Sequence, residues 1–159
     1  IKKETSSLNF EVDSQGKPTL GRFDEFTGTI QIDSLLEKSS ISFEVDVESI
    51  NTFKKSRDEH LRESDYFDVK KYPKASFTSR SIFFRDTAYV ATGIFKMKGI
   101  EKELEVNFSL KHTGKTEDNQ DFAVFKGGFQ FDRTQFGMTH ENAIDDLVTI
   151  TFELEGRLK

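Results

Sequence analysis

The sequence predicts an all-β fold, an antiparallel barrel or sandwich with one short helical insertion, and three observations carry that expectation. Apolar residues recur at every second position in segment after segment, turn-forming residues fall between the segments at regular spacing, and no strand-like run alternates with a long helical one. A run with charges on one parity and Phe, Ile, Val or Leu on the other is a half-buried strand, because successive strand residues point to opposite faces. A closed barrel is favoured over a sandwich, since closure removes the exposed edges that Phe-rich strands would offer for aggregation.

The elements follow in chain order. Leu8 to Val12 reads as the first strand, and Ser14-Gln15-Gly16-Lys17-Pro18 as the turn after it. Phe26, Gly28, Ile30 and Ile32 alternate with Thr27, Thr29, Gln31 and Asp33, and Ile41, Phe43, Val45 and Val47 alternate with Ser42, Glu44, Asp46 and Glu48. From Thr52 to Tyr72 the two-residue period disappears. Lys54 to Arg62 contains good helix formers, and Arg57, His60, Leu61 and Ser64 fall at three- and four-residue spacings, which predicts one short helix. A second brief turn falls around Tyr66-Phe67-Asp68, and Tyr72-Pro73 ends the insertion because proline drives the residue before it into an extended conformation. Lying between two strands, this insertion is expected to cover one end of the barrel.

Strand-like runs resume at Ala75 to Phe84, Ala88 to Met97, Leu104 to Leu110, Phe122 to Asp132 and Val148 to Leu154. Arg85-Asp86, Lys98-Gly99 and the polar stretch Thr113 to Asp121 separate them as turns. Gly127-Gly128 sits inside a strand pattern, where it marks a bulge or a close backbone approach. Gln135 to Asn142 is irregular and precedes the last strand, as a rim loop would.

With 159 residues, the chain is read as one domain, 1–159, large enough to bury roughly 70% of its unfolded surface without staples. It has no cysteine, which removes disulfide, thiolate and Cys-based metal chemistry. A net charge of -5 with both signs interspersed gives a solvated surface and argues against a nucleic-acid partner. No apolar run reaches the roughly 18 residues of a membrane-spanning helix. The start Ile1-Lys2-Lys3-Glu4 has no initiator Met, so any targeting segment is expected to have been removed. Against this background stand 17 Phe beside three Tyr, two Met and no Trp. Phe offers a large apolar area with no polar atom, suited either to a packed core or to the dry wall of a cavity.

A longer pattern then emerges. Ser49-Ile50-Asn51-Thr52, Arg57-Asp58-Glu59-His60-Leu61, Ser64-Asp65-Tyr66-Phe67-Asp68, Lys71-Tyr72-Pro73 and Phe77-Thr78-Ser79 resemble, in order and spacing, the signature of the YceI-like family of bacterial polyisoprenoid-binding proteins. The resemblance extends to Gly21-Arg22-Phe23, Gly28, Gly93, Lys98-Gly99, Arg133 and Phe136-Gly137. It implies a lipocalin-like, eight-stranded antiparallel β-barrel whose apolar interior holds an isoprenoid, an isoprenoid quinone or a fatty-acid-like amphiphile, in a periplasmic or secreted protein for which a homodimer is permitted. Some members are linked to stress tolerance or respiratory function. One departure stands out: many members carry a histidine in a Phe-x-Val-x-His pattern after the first strand, whereas here Phe10-Glu11-Val12-Asp13 leads to Ser14.

Val12, Phe23, Ile30, Phe43, Val45, Val47, Phe77, Phe95, Phe108, Phe129, Phe131, Ile150 and Phe152 are the large apolar residues of the inward face. Each suits ligand contact and core packing alike, because an eight-stranded barrel is just wide enough to be filled by its side chains or to admit a slender ligand. Arg57 and His60 are the candidate head-group contacts, as N–H donors to an anionic or carbonyl group; in the other reading Arg57 and Asp58 fasten the helix to neighbouring loops. Asp65 and Asp68 suit turns and caps. His60, His112 and His140 are too scattered for a metal motif, and the acidic residues from Asp58 to Asp68 lack an EF-hand pattern, so no metal and no cofactor beyond the lipid is expected. Without a nucleophile elbow, P-loop or dinucleotide fingerprint, the chain is read as a binding protein and not an enzyme. Turnover of a lipid in the same cavity and a protein-interaction barrel are the competing readings.

Overall fold

The computed structural model describes residues 1–140 and 144–157. Ten antiparallel strands form one sheet: β1 (Ser7–Ser14), β2 (Lys17–Phe23), β3 (Phe26–Gln31), β4 (Ser40–Asp46), β5 (Ile50–Asn51), β6 (Lys74–Arg85), β7 (Ala88–Met97), β8 (Ile100–Lys115), β9 (Asp121–Asp132) and β10 (Ile144–Arg157). One α-helix, α1 (Lys55–Leu61), lies between β5 and β6. The ladder runs β3-β4-β6-β7-β8-β9-β10-β1-β2-β5.

The count of ten replaces the expected eight, and two kinks account for the difference. β2 and β3 are successive parts of one chain pass broken at Asp24-Glu25; β4 and β5 are likewise one pass broken by a 3-10 turn at Val47–Ser49. β2 pairs with β5 just as β3 pairs with β4, so the two broken passes lie side by side and close the sheet into a barrel of eight passes. Both kinks point backbone groups out of the ladder, and those groups are satisfied across the break: the Asp24 N–H donates to the Ser49 carbonyl at 3.2 Å, the Glu25 N–H to Ser49 Oγ at 2.9 Å, and the Asp46 N–H to the Glu25 carbonyl at 2.9 Å. Val47 and Ile50 keep their side chains inside and are almost wholly buried.

Two of the hairpins turn on the residues expected of them. Gln15-Gly16 and Lys98-Gly99 both hold positive φ at two consecutive positions, the backbone of a type I′ turn whose twist matches the flanking strands. Elsewhere β8 runs on to Lys115, past the predicted turn at Thr113, because Thr113 pairs with Ala123 and Lys115 with Asp121. β3 stops at Gln31, which leaves Ile32 exposed and not on an inner face.

On the inner wall, glycines stand opposite phenylalanines. Gly21 pairs with Phe10, Gly28 with Phe43 and Gly127 with Phe108. A methyl group on Gly21 would come within 2.5 Å of Phe10 Cε1, and one on Gly28 within 2.7 Å of Phe43 Cδ2, so each ring lies over its glycine. At Gly127 the constraint is the neighbouring strand itself, with Phe108 Cβ at 2.7 Å and Cα at 2.8 Å from such a methyl. The pairing runs through Gly127 and Gly128 without a register shift, so this Gly-Gly step marks close approach and not a bulge.

The two ends of the barrel differ. At the lower end, where β6 finishes and β7 begins, Ile82, Ala91, Val106 and Phe108 are buried, and Phe108 stacks on Tyr89 with centroids 5.4 Å apart and meets Phe125 edge-on at 6.0 Å. The segment before β1 crosses this end: the Ile1 nitrogen donates to the Gly28 carbonyl at 2.9 Å, the Lys2 N–H to the Glu155 carbonyl at 2.8 Å, and Ile1 packs on the core. The upper end carries α1 and the turns that follow it. Gly127→Ala is expected to destabilise the barrel by about 1–3 kcal/mol, since backbone must move to admit the methyl, whereas Gly156→Ala, with its nearest neighbour at 3.9 Å, should leave the denaturation midpoint almost unchanged.

Candidate functional site

The upper half of the barrel encloses a cavity of about 580 Å³. Alternation along the strands supplies its wall. Phe10 and Val12 of β1, Phe43 and Val45 of β4, Phe77 of β6, Phe95 of β7, Phe129 and Phe131 of β9, and Val148 and Ile150 of β10 all line it. Phe95 contacts Phe129, Phe131 and Phe136 at centroid distances of 5.3, 5.4 and 5.2 Å, so the wall on that side is a cluster of mutually packed rings.

Val12, Phe23, Phe43, Val45, Val47, Phe77, Phe95, Phe129, Phe131, Ile150, Arg57 and His60 stand where the sequence reading expects a ligand, on the cavity surface. Ile30, Phe108 and Phe152 do not line it. Phe108 is buried among rings and Phe152 packs against the core beside Gly127 and Leu8, while Ile30 is half-buried near the end of β3, paired with Ile41. Leu61 and Phe67, from the helical insertion, and Met138, from the rim loop, add cavity surface that strand periodicity does not point to. Glu141 and Asn142 of that rim loop lie outside the described residues.

The insertion is seated on the barrel by Asp58. Its carboxylate is buried, and Oδ1 accepts from the Thr52 N–H at 2.8 Å and from the Thr52 hydroxyl at 2.5 Å. Arg57 completes the clasp, with Nε donating to Thr52 Oγ1 at 2.7 Å and Nη2 to the Thr52 carbonyl at 2.8 Å. From the end of the helix Arg62 donates to the carbonyls of Glu48 at 2.8 Å and Ile50 at 3.1 Å. Arg57 thus has a structural task and a place on the cavity surface at once. His60 is exposed at the mouth and packs edge-on against Tyr66 at 5.3 Å, which in turn meets His140 at 5.9 Å. Next to this collar Phe53 is 70% exposed at a positive φ of 64°, with the Arg22 guanidinium 5.1 Å from its ring centroid.

Arg133 organises the other side of the rim. It is buried, and its guanidinium donates to the carbonyls of Met138 at 2.6 Å, Ile144 at 2.9 Å and Asp145 at 3.0 Å. One side chain therefore holds both ends of the loop between β9 and β10, a task that needs the fixed fork of an arginine. The adjacent Asp132 carboxyl is held below its ordinary range because it accepts from the Thr134 hydroxyl and N–H. Among the described residues the charged side chains on the cavity surface are Lys54, Arg57 and Arg133, with no Asp or Glu, although the chain as a whole is acidic. The cavity is apolar in its depth and cationic at its mouth.

Fold and site together define a barrel closed at one end, with an apolar chamber opening under a helical lid. Residues 1–156 match the family model described as a YceI-like domain, and the chain belongs to that family. A UPF0312 protein of Photorhabdus laumondii is 30% identical over 125 residues, covering 77% of this chain but 63% of the relative, and one of Pseudomonas putida is 29% identical over 138 residues, covering 86% and 72%. The chain thus spans less than two thirds of the first of these relatives. Among solved structures, BcnA of Burkholderia cenocepacia superposes with a TM-score of 0.89 at 23% identity, covering 98% of this chain and 99% of that one. A polyisoprenoid binding domain from Saccharophagus degradans, implicated in plant cell wall breakdown, superposes with a TM-score of 0.74 at 15% identity, covering 97% and 94%. These likenesses establish the fold. Among the described residues no helix is long and apolar enough to cross a membrane.

Asp58→Ala leaves the buried Thr52 N–H without its acceptor and should cost about 1–3 kcal/mol in chemical denaturation. Asp58→Asn, which keeps an oxygen in place for both Thr52 donors, should cost clearly less.

Proposed function

We propose that this protein binds one amphiphilic lipid, an isoprenoid, isoprenoid quinone or fatty-acid-like molecule, with its tail in the upper chamber and its polar head at the mouth. The observation that carries this reading is the polarity of the chamber. Phe, Val and Ile form its depth, while the rim presents Lys54, Arg57 and His60. Transfer of apolar carbons into such a space contributes roughly 0.8 kcal/mol per methylene, so a tail alone supplies much of the affinity. Guanidinium, ammonium and imidazole donors at the mouth suit a carboxylate, phosphate or carbonyl head.

Family membership supports the same reading, and so does the fold shared with a domain described as polyisoprenoid binding. Binding is favoured over turnover because Asp58, the buried carboxylate of α1, is committed to Thr52 and does not line the chamber. Among the described residues, His60 therefore has no carboxylate on the chamber surface to act with as an acid-base pair.

Native mass spectrometry of freshly purified protein, followed by lipid extraction, should reveal a retained amphiphile whose mass is unchanged on incubation. A protein that neither retains nor takes up any prenyl or acyl lipid would refute the proposal. Val45→Arg, which places a charge on a chamber wall between Phe26 and Ala75, should lower uptake by at least about tenfold, the equivalent of 1.4 kcal/mol, while circular dichroism still reports a folded barrel.

A further inference from the structure

We infer that the lip of the chamber rests on a phospholipid bilayer, through an exposed apolar pair, Leu20 and Phe53, bordered by Arg22, Lys54 and Lys55. The inference rests on the lipid-binding reading and concerns the surface across which such a lipid would enter.

Strand parity and register assemble this surface. Thr19 and Phe23 of β2 line the chamber, so Leu20 and Arg22 between them point outward. Arg22 pairs with Asn51 of β5. Leu20 precedes Arg22 by two residues and Phe53 follows Asn51 by two, which brings both to about one height in an antiparallel pair. Leu20 is 58% exposed and Phe53 70%. Thr52 and Lys54, on either side of Phe53, both line the chamber. The ring therefore stands on the lip of the mouth while its chain neighbours face inside.

Phe53 is held there at a cost. Its φ of 64° is a left-handed conformation that residues other than Gly, Asn and Asp seldom adopt. Asn51 fixes it: its Oδ1 accepts from the Phe53 N–H at 2.9 Å, and its Nδ2 donates to Asp24 at 3.1 Å. The Arg22 guanidinium lies over the ring. Strain that keeps a large apolar side chain in water points to a use for its exposure.

The charges around the pair match the layering of a membrane surface, where rings enter the acyl boundary and long cationic side chains reach the phosphates. Arg22 is ion-paired with Asp24 at 2.6 Å and Lys55 with Glu59 at 3.9 Å, but the Lys55 side chain is 91% exposed, and Lys54 has no ion pair among the described residues. Glu11 stands across from Leu20 on β1, so the cationic flank is the one beside α1 and the mouth. A lipid apolar enough to fill the chamber has its reservoir in a bilayer. A lip that touches that surface spares the tail a passage through water.

The chain has no Trp, so Phe53→Trp sets a unique fluorophore on the lip, and Leu35→Trp sets one in the connection between β3 and β4 at the other end. With vesicles of phosphatidylcholine and phosphatidylglycerol, emission from Phe53→Trp should shift to the blue and be quenched by phospholipid brominated near its head group, and emission from Leu35→Trp should do neither. Phe53→Asn suits the left-handed backbone and should stay folded by circular dichroism. It should lower flotation of the delipidated protein with these vesicles, and its rate of loading with vesicle-borne geranylgeraniol, by about fivefold or more. Its equilibrium uptake of the same prenol from cyclodextrin should not change. Lys55→Glu should lower flotation by about tenfold at low salt. Equal responses from the two fluorophores, or undiminished flotation of folded Phe53→Asn, overturn the surface, and undiminished flotation of Lys55→Glu overturns its cationic border. Uptake from cyclodextrin without flotation of the unaltered protein overturns the surface and leaves lipid binding standing. Flotation that depends on Phe53 without uptake of any lipid supports the surface and refutes the lipid-binding reading instead.

Discussion

Phenylalanine lying against glycine across a strand pair is the contact on which the shape of this barrel depends. A small antiparallel barrel with an inward Phe at every second residue would fill itself, because eight strands leave little more room than their side chains need. Where Phe10 lies over Gly21 and Phe43 over Gly28, the ring occupies the place of the missing side chain and the volume it would have taken in the middle is released. Phe then behaves as panelling on the wall. At Gly127 the opposite happens: the absence of a side chain draws β8 and β9 together, and Phe108 is held among Tyr89 and Phe125. The same pair of residue types hollows one half of the barrel and helps close the other.

A hollow half needs a rim that holds without a packed interior beneath it, and the polar network around Thr52, Asp58 and Arg133 provides one. Asp58 and Arg57 converge on Thr52 from a helix of only seven residues, a length at which an isolated helix has little stability of its own. Arg133 does for the loop after β9 what Asp58 does for the insertion. Because Asp58 is used within the clasp, its negative charge does not reach the chamber, and the cations nearby define the polarity of the mouth. Arg57, which fastens the lid to Thr52, also stands on the chamber surface.

Strand identity was legible in the sequence because a half-buried strand writes its burial into every second residue, and the runs at Ile41 to Val47, Ala88 to Met97 and Val148 to Leu154 did so clearly. The kinks were not. Asp24-Glu25 and Glu48-Ser49 look like ordinary turn or surface residues, and only the hydrogen bonds of Ser49 across the break show that each kink joins two parts of one pass. The inward face was legible too, but height along the barrel was not. Parity places Phe108 and Phe129 on the same wall, yet Phe108, paired with Gly127 two residues short of Phe129, lies off the chamber that Phe129 lines. Leu61, Phe67 and Met138 were missed as chamber residues because they lie on a helix, a turn and a rim loop, whose orientation depends on the Asp58 and Arg133 networks and not on any local period.

The distribution of packing has an energetic consequence for the whole molecule. Lining atoms around an unfilled apolar space forgo the dispersion contacts they would make in a filled core, so stability is concentrated in the lower half and in the backbone ladder that rings both. A ligand that enters the chamber restores contacts that only the folded barrel can offer, and anything that binds the folded state alone raises stability by mass action. Packing the chamber with larger side chains would recover the same contacts permanently, at the expense of the space. The glycines opposite Phe10 and Phe43 keep that space open, and the rings of the lower half supply the rigidity that lets it stay open without collapsing.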